Sequence, residues 1–459
     1  MTSSSRLQAS VVRECFGAAL SDIGRGYFVT LELVAILRGL FDIGDHTAPS
    51  ILQAPPPGQP VRYTRRSHDF ARRMPTQPDD LLGTDELHAL EGGDTRATLA
   101  ALVDALTVPF PGRRGRQPFK QRLLYPYVGE LIHYDAVDRR GRVSLEQYTF
   151  RGGGGLAYKM LARDPDADRR ARNEKGLLEL ISDSGTALGR LAAALQSHDL
   201  VPPTGSEVFE DERAGNAEPR PEGARWTATL CGGVANIVGR GALTRAKRVE
   251  LLMHWVPYCI ARYQLDVATA VVGRDPVEIP IDLRLGSNTI RRASQELLQR
   301  VPASIGQALA VTAERLAETA EEGDTAEFHQ IAKNALGTKT HLKSARAFFT
   351  STLWTVGALN APAGTRHFTL RLPMLEAMVA AGIPPDEDMA FSDFCGEVLF
   401  SRYGLLVDQG AARRSAVADA IDTAEFEENG EILARRLASL GLLTEYSDAT
   451  RIVHAEVRA

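Results

Sequence analysis

The run Arg151-Gly152-Gly153-Gly154-Gly155, with Lys159 four residues further on, is where residue types in this chain come closest to a phosphate-binding loop. Backbone amides of a glycine turn at the start of a helix can cradle an anion. A Walker-type loop, however, needs Lys and then Ser or Thr directly after its last glycine, whereas here Lys159 is displaced and precedes Met160. A plain flexible turn is therefore the favoured reading. Cys231-Gly232-Gly233 and Gly239-Arg240-Gly241 lie in helical surroundings without the spacing of a dinucleotide fingerprint, and read as helix packing and a helix end. Gly337-Thr338-Lys339-Thr340-His341 has no upstream glycine and reads as a turn between helices.

Bond-breaking chemistry needs a nucleophile with its base, or acids that hold a metal. Neither Gly-x-Ser-x-Gly nor His-Glu-x-x-His occurs. Glu130, Asp135 and Glu146 loosely imitate a nuclease core, but Glu146 is followed by Gln147 and Tyr148 instead of the expected x-Lys. The ten histidines are scattered singly, and His254 on an apolar helix reads as a core or boundary residue. Cys15, Cys231, Cys259 and Cys395 are far apart, with no CxxC pair, and read as reduced, buried thiols. No catalytic, metal-binding or cofactor-binding residue is expected from these patterns. What remains is two basic clusters: Arg62, Arg65, Arg66, Arg72 and Arg73, then Arg113, Arg114, Arg116, Lys120 and Arg122. Tyr63, Phe70 and Phe119 are interleaved with them, and arginine beside aromatic rings suits phosphate, bases or an acidic protein surface. A solvated face with ordinary ion pairs is the competing reading.

The elements that must position these residues are mostly helical. Apolar spacing predicts a helical hairpin over residues 7–43, a basic helical segment over 61–73 and a helix over 85–106. Residues 123–150 are rich in Tyr, Val and Ile around Asp138-Arg139-Arg140-Gly141, which predicts a short β excursion. Helix returns over 173–196, broken near Ser182. Residues 202–225, rich in Pro, Gly, Glu and Arg, predict a flexible connection. Helices follow over 226–272, 290–320, 326–336, 343–359 and 373–381. Last come helix 391–403, strand 404–407, helices 411–421 and 425–439, and a hairpin from 442–446 and 450–455.

The fold class expected is mainly α: a multidomain helical protein with a small β excursion near 123–150 and a winged-helix-like C-terminal module. Its parts are an N-terminal helical domain (1–201), a linker (202–225), a helical middle domain (226–385) and the winged-helix-like domain (386–459). A groove-reading helix would be the one before the wing, yet it opens Glu425-Phe426-Glu427-Glu428-Asn429-Gly430-Glu431, whose carboxylates repel phosphate. A wing that docks protein is the favoured reading.

At 459 residues the chain exceeds one ordinary core. A formal net charge of -5 gives no global attraction to nucleic acid, so any DNA contact would come from the local basic clusters. Polar residues His254, Arg262, Gln264 and Asp266 interrupt the most apolar stretch, 251–272, which reads as a buried helix and not a bilayer span. The opening residues carry no basic-then-apolar leader, so a cytoplasmic location is expected.

Residues 226–268, with Leu251-Leu252-Met253-His254-Trp255-Val256-Pro257-Tyr258-Cys259, resemble proteins encoded in bacterial anti-phage clusters. Arg366-His367-Phe368-Thr369-Leu370 through Arg402-Tyr403-Gly404-Leu405-Leu406-Val407 resemble them too. The nearest groups are accessory subunits of methylation-associated defence systems and of phosphorothioation-dependent restriction. The resemblance implies a non-catalytic subunit beside a DNA-translocating ATPase and modification or nuclease components, and it transfers no catalytic residue. Two alternatives stay open: a winged-helix transcriptional regulator, and a divergent metal-dependent nuclease.

Overall fold

The computed structural model describes residues 3–21, 26–45, 50–64, 95–109, 123–132, 136–138, 143–145, 152–182, 185–196, 208–286, 288–337, 342–416 and 421–456. As the apolar spacing requires, the protein is mainly helical. It opens with the expected hairpin, α1 (Ser3–Phe16) and α2 (Tyr27–Ile43). Helix α2 is buried from Tyr27 to Gly39, including the polar Glu32 and Arg38. Arg38 donates to Ile181 O at 2.5 Å and pairs with Asp42 at 3.0 Å, so burial leaves its charge partnered.

The next segment departs from expectation. Residues 61–64 form β1 (Val61–Thr64), a strand and not the start of a basic helix. Their β-branched and aromatic side chains alternate buried and exposed, and Pro60 precedes them, both of which favour extended backbone. Residues 65–73 of that expected helix lie outside the described residues. Helix α3 (Thr95–Leu106) supplies the end of the predicted 85–106 helix, and β2 (Ala136–Asp138) pairs antiparallel with β3 (Val143–Leu145), giving the expected β excursion.

Helices α4 (Gly153–Ala162), α5 (Ala167–Ile181) and α6 (Ala187–Gln196) follow. Residues 208–225 are not a flexible connection: β4 (Val208–Asp211) pairs with β1, and α7 (Glu212–Gly215) follows directly. Asp211 fixes this segment by capping α7 through the amides of Arg213 and Ala214 and by accepting from the Tyr63 hydroxyl at 2.6 Å. Composition suggested mobility, but these local bonds override it.

The centre of the fold is the pair α8 (Ala224–Val238) and α9 (Arg245–Val271). Helix α9 starts on a Thr244 cap and is almost fully buried from Val249 to Thr269, as expected for 251–272. Gly233 explains one glycine pair: a Cβ there would meet the Trp255 ring at 2.3 Å, so the two helices approach through a missing side chain. His254 is satisfied in this core, with Nδ1 at 2.9 Å from Val356 O and its ring edge-on to Tyr27.

Strand β5 (Ile279–Pro280) leads to α10 (Thr289–Thr319), α11 (Glu322–Lys333), α12 (Leu342–Val356) and α13 (Leu372–Gly382), close to the predicted spans. Then come β6 (Asp388–Ala390), α14 (Phe391–Asp393) running on as a π-helix (Phe394–Arg402), β7 (Leu405–Leu406) and α15 (Gln409–Ala412). Helix α16 (Thr423–Ser439) and the hairpin β8 (Leu443–Glu445) with β9 (Arg451–His454) follow, close to the predicted spans. The helix expected over 411–421 stops at Ala412, while residues 417–420 lie outside the described residues.

The module is joined to the body rather than appended to it. Strand β7 pairs in parallel with β5, and the wing sheet takes β6 as its third strand, in the order β6-β9-β8. One continuous hydrophobic cluster includes Val11 of α1, Trp255 of α9, Leu433 of α16 and Val453 of β9.

Candidate functional site

The glycine run is built into the fold differently from a flexible turn. Gly152 adopts φ 90°, a left-handed conformation suited to glycine, and Gly153 begins α4. The free amides at that helix start form the anion-binding arrangement sought in the sequence, and a side chain of the protein fills it. Glu32 of α2 accepts from Gly152 N at 3.1 Å and Gly154 N at 2.8 Å. A Cβ on Gly154 would meet Glu32 Cβ at 2.5 Å and Leu33 N at 2.6 Å, so the glycines also let α2 and α4 touch. Desolvation outweighs those two amide bonds and pushes the Glu32 carboxyl up to about 8.

Lys159 is fully buried and points at Glu218, with Nζ 3.4 Å from Oε1, and Arg163 pairs with the same carboxylate. Desolvation lowers the Lys159 ammonium, and Glu218 opposes that effect. The residues that most resembled a phosphate site therefore form an internal joint among α2, α4 and the segment after α7.

Helix α16, which would read a groove in a DNA-binding wing, is likewise fastened from within. Asn429 is completely buried and donates to Ile281 O at 3.0 Å and Val407 O at 2.6 Å while accepting from Leu283 N at 2.8 Å. Glu425 caps α10 by accepting from Thr289 N at 2.9 Å and its hydroxyl at 2.8 Å. Glu428 pairs with Arg284 at 2.8 Å, and Glu431 with Arg451 at 2.6 Å. The carboxylates read as phosphate-repelling thus do a second thing that sequence did not reveal: Glu425 and Glu428 tie the module to its surroundings, and Glu431 braces α16 against β9.

Two further clasps escaped the sequence reading. Arg240, inside a motif read only as a helix end, is fully buried and donates to Ala380 O, Ile383 O and Ala455 O. Asp282 accepts from Arg291 Nε at 2.5 Å and from Asn288 Nδ2 at 3.1 Å, beside His367. Burial, and then Arg291, hold that imidazole below its usual range. The partners of Arg240 lie 140 or more residues away and leave no local signature of such contacts.

Of the expected binding residues, the structure describes Arg62. It stands exposed on β1, 3.5 Å from its cross-strand neighbour Glu210. Arg65, Arg66, Arg72, Arg73, Arg113, Arg114, Arg116, Lys120 and Arg122 lie outside the described residues. The described residues on either side of the second cluster are bonded to each other: Val108 N donates to Leu123 O and Tyr125 N to Leu106 O, both at 2.8 Å. Glu130 is buried in a short 3-10 turn, while Asp135 and Glu146 are also outside the described residues. All four cysteines are free and buried, and desolvation raises every thiol.

Among the described residues no helix is long and apolar enough to cross a membrane. Comparison with known protein families, with curated proteins and with solved structures finds no match to this chain.

Proposed function

We propose that this chain is an accessory scaffold subunit of a DNA-targeting bacterial defence complex of the restriction type, taking no part itself in cutting or modifying DNA. The observation that carries the reading is where its reactive-looking parts are spent. The glycine cradle is filled by Glu32, and the helix placed to read a groove is bound into the body through Asn429 and Glu425. What these contacts build is a helical frame with its ends locked together.

Docking is assigned to the two arginine-rich clusters of the sequence, Arg62 to Arg73 and Arg113 to Arg122, whose composition suits an acidic partner or DNA phosphate. Membership of a defence complex rests on the resemblance of residues 226–268 and 366–407. Those stretches are largely core: Trp226, Trp255, Tyr258, Phe368 and Tyr403 are buried, so they speak for a common frame and not for a reactive site. The direct test co-expresses the tagged chain with the products of its neighbouring genes. Capture of a DNA-translocating ATPase or a modification subunit supports the reading, and a chain that purifies alone overturns it.

The regulator reading has one observation in its favour, the winged-helix-like order of α14 to β9. It predicts binding to the chain's own promoter with a steep salt dependence, measured by fluorescence anisotropy. The fastening of α16 argues against it.

A further inference from the structure

In the wing sheet, three side chains from three strands stand in a line. His454 Nδ1 on β9 lies 2.9 Å from Asp388 Oδ1 on β6, and its Nε2 lies 2.8 Å from Thr444 Oγ1 on β8. Asp388 is the direct cross-strand partner of His454, and Thr444 is its diagonal neighbour on the same face. The imidazole is buried at 2% exposure, the Asp388 side chain is one-third exposed at 34%, and Thr444 is open to solvent.

Protonation follows from the partners. An ionised carboxylate only accepts, so Nδ1 carries the proton and Nε2 is left to accept the Thr444 hydroxyl. That is the polarity of a hydroxyl nucleophile with its base and the base's orienting acid. The register adds a further group. Because His454 N donates to Leu442 O and Tyr446 N to Thr450 O, residues 442, 444 and 446 turn their amides toward β9. The amide of Glu445, directly after the nucleophile, therefore faces away from β9 along the outer edge of the sheet, where a developing oxyanion can meet it.

From this geometry we propose that Thr444, His454 and Asp388 form an acyl-transfer site for small aryl esters. Thr444 Oγ1 bonds to the acyl carbon as its proton passes to His454 Nε2, and the ester C–O bond breaks with that proton going to the departing phenolate. Water then repeats the step on the acyl-threonine, restoring the hydroxyl and releasing the acid. Ile452, the cross-strand neighbour of Thr444, and the half-exposed Tyr446 supply apolar surface for the aryl group. The site is independent of the scaffold role, and its failure leaves that role standing.

The test treats the full chain with p-nitrophenyl acetate, following nitrophenolate release and locating acetyl groups by peptide mass spectrometry. The expected result is acetylation of Thr444 and loss of the adduct in Thr444→Val. Asp388→Asn should slow release about 100-fold or more by favouring the wrong tautomer, as such a change does in serine proteases. Thr444→Ser should retain activity, which separates lost chemistry from lost folding. Release by Thr444→Val at the unaltered rate, or acetyl found only on other residues, overturns the proposal.

Discussion

Glu32 carries an unusual load for one carboxyl: it closes the glycine turn and is buried while doing so. Its folded pKa of about 8 stands above the ordinary 4.5, so the folded state holds a proton that the unfolded chain releases. That contribution to stability is complete below about pH 4.5 and is lost as pH rises through about 8, with a slope on the order of 1 kcal/mol per pH unit between. Glu32→Gln should flatten this dependence, so that urea melts from pH 5 to 9 show the variant gaining on the native protein as pH rises. Parallel curves for the two proteins would contradict the assignment. The thiols give a second residue-scale expectation. Because burial raises all four, a thiol-specific reagent should modify none in the native protein and all in denaturant. Rapid native labelling of Cys231 or Cys259 would contradict the packing of α8 against α9.

Between elements, the joints are made by single polar side chains whose loss strands several buried groups together. Asn429→Ala leaves two carbonyls and one amide without partners, at about 1–3 kcal/mol for each such group. The variant should lose about 3 kcal/mol or more in a denaturant titration, and a loss below about 1 kcal/mol would mean that α16 is not held as described. Helices with long apolar periods were legible in the sequence, and 251–272 did prove to be a buried helix, because period and burial come from the same residues. Residues 61–64 were misjudged because Arg62 and the arginines that follow drew attention to charge, while Val61 and Tyr63 were already alternating as a strand does. The glycine run was seen, but Glu32 lies 120 residues from Gly152 and no local pattern joins them. Asp388, Thr444 and His454 were invisible for the same reason: a site assembled by strand register appears in sequence as three unrelated residues.

Over the whole molecule, joints of this kind bind the N-terminal hairpin, the central helices and the C-terminal module into one packed body. Arg240, reaching Ala380, Ile383 and Ala455 at once, is the clasp on which the module's end depends. Arg240→Lys should fail to substitute, because an ammonium cannot reproduce the planar fork that meets three carbonyls. On the proposed scaffold role, partner binding falls to the arginine-rich segments of the sequence. The measurement that bears on it most directly is affinity purification of the tagged chain co-expressed with its genomic neighbours. Native protein should bring down a partner subunit in fixed ratio, and charge reversal at Arg113, Arg114, Arg116, Lys120 and Arg122 should abolish that capture while leaving the melting curve unchanged. Recovery of the native chain alone, as a monomer, would contradict the account.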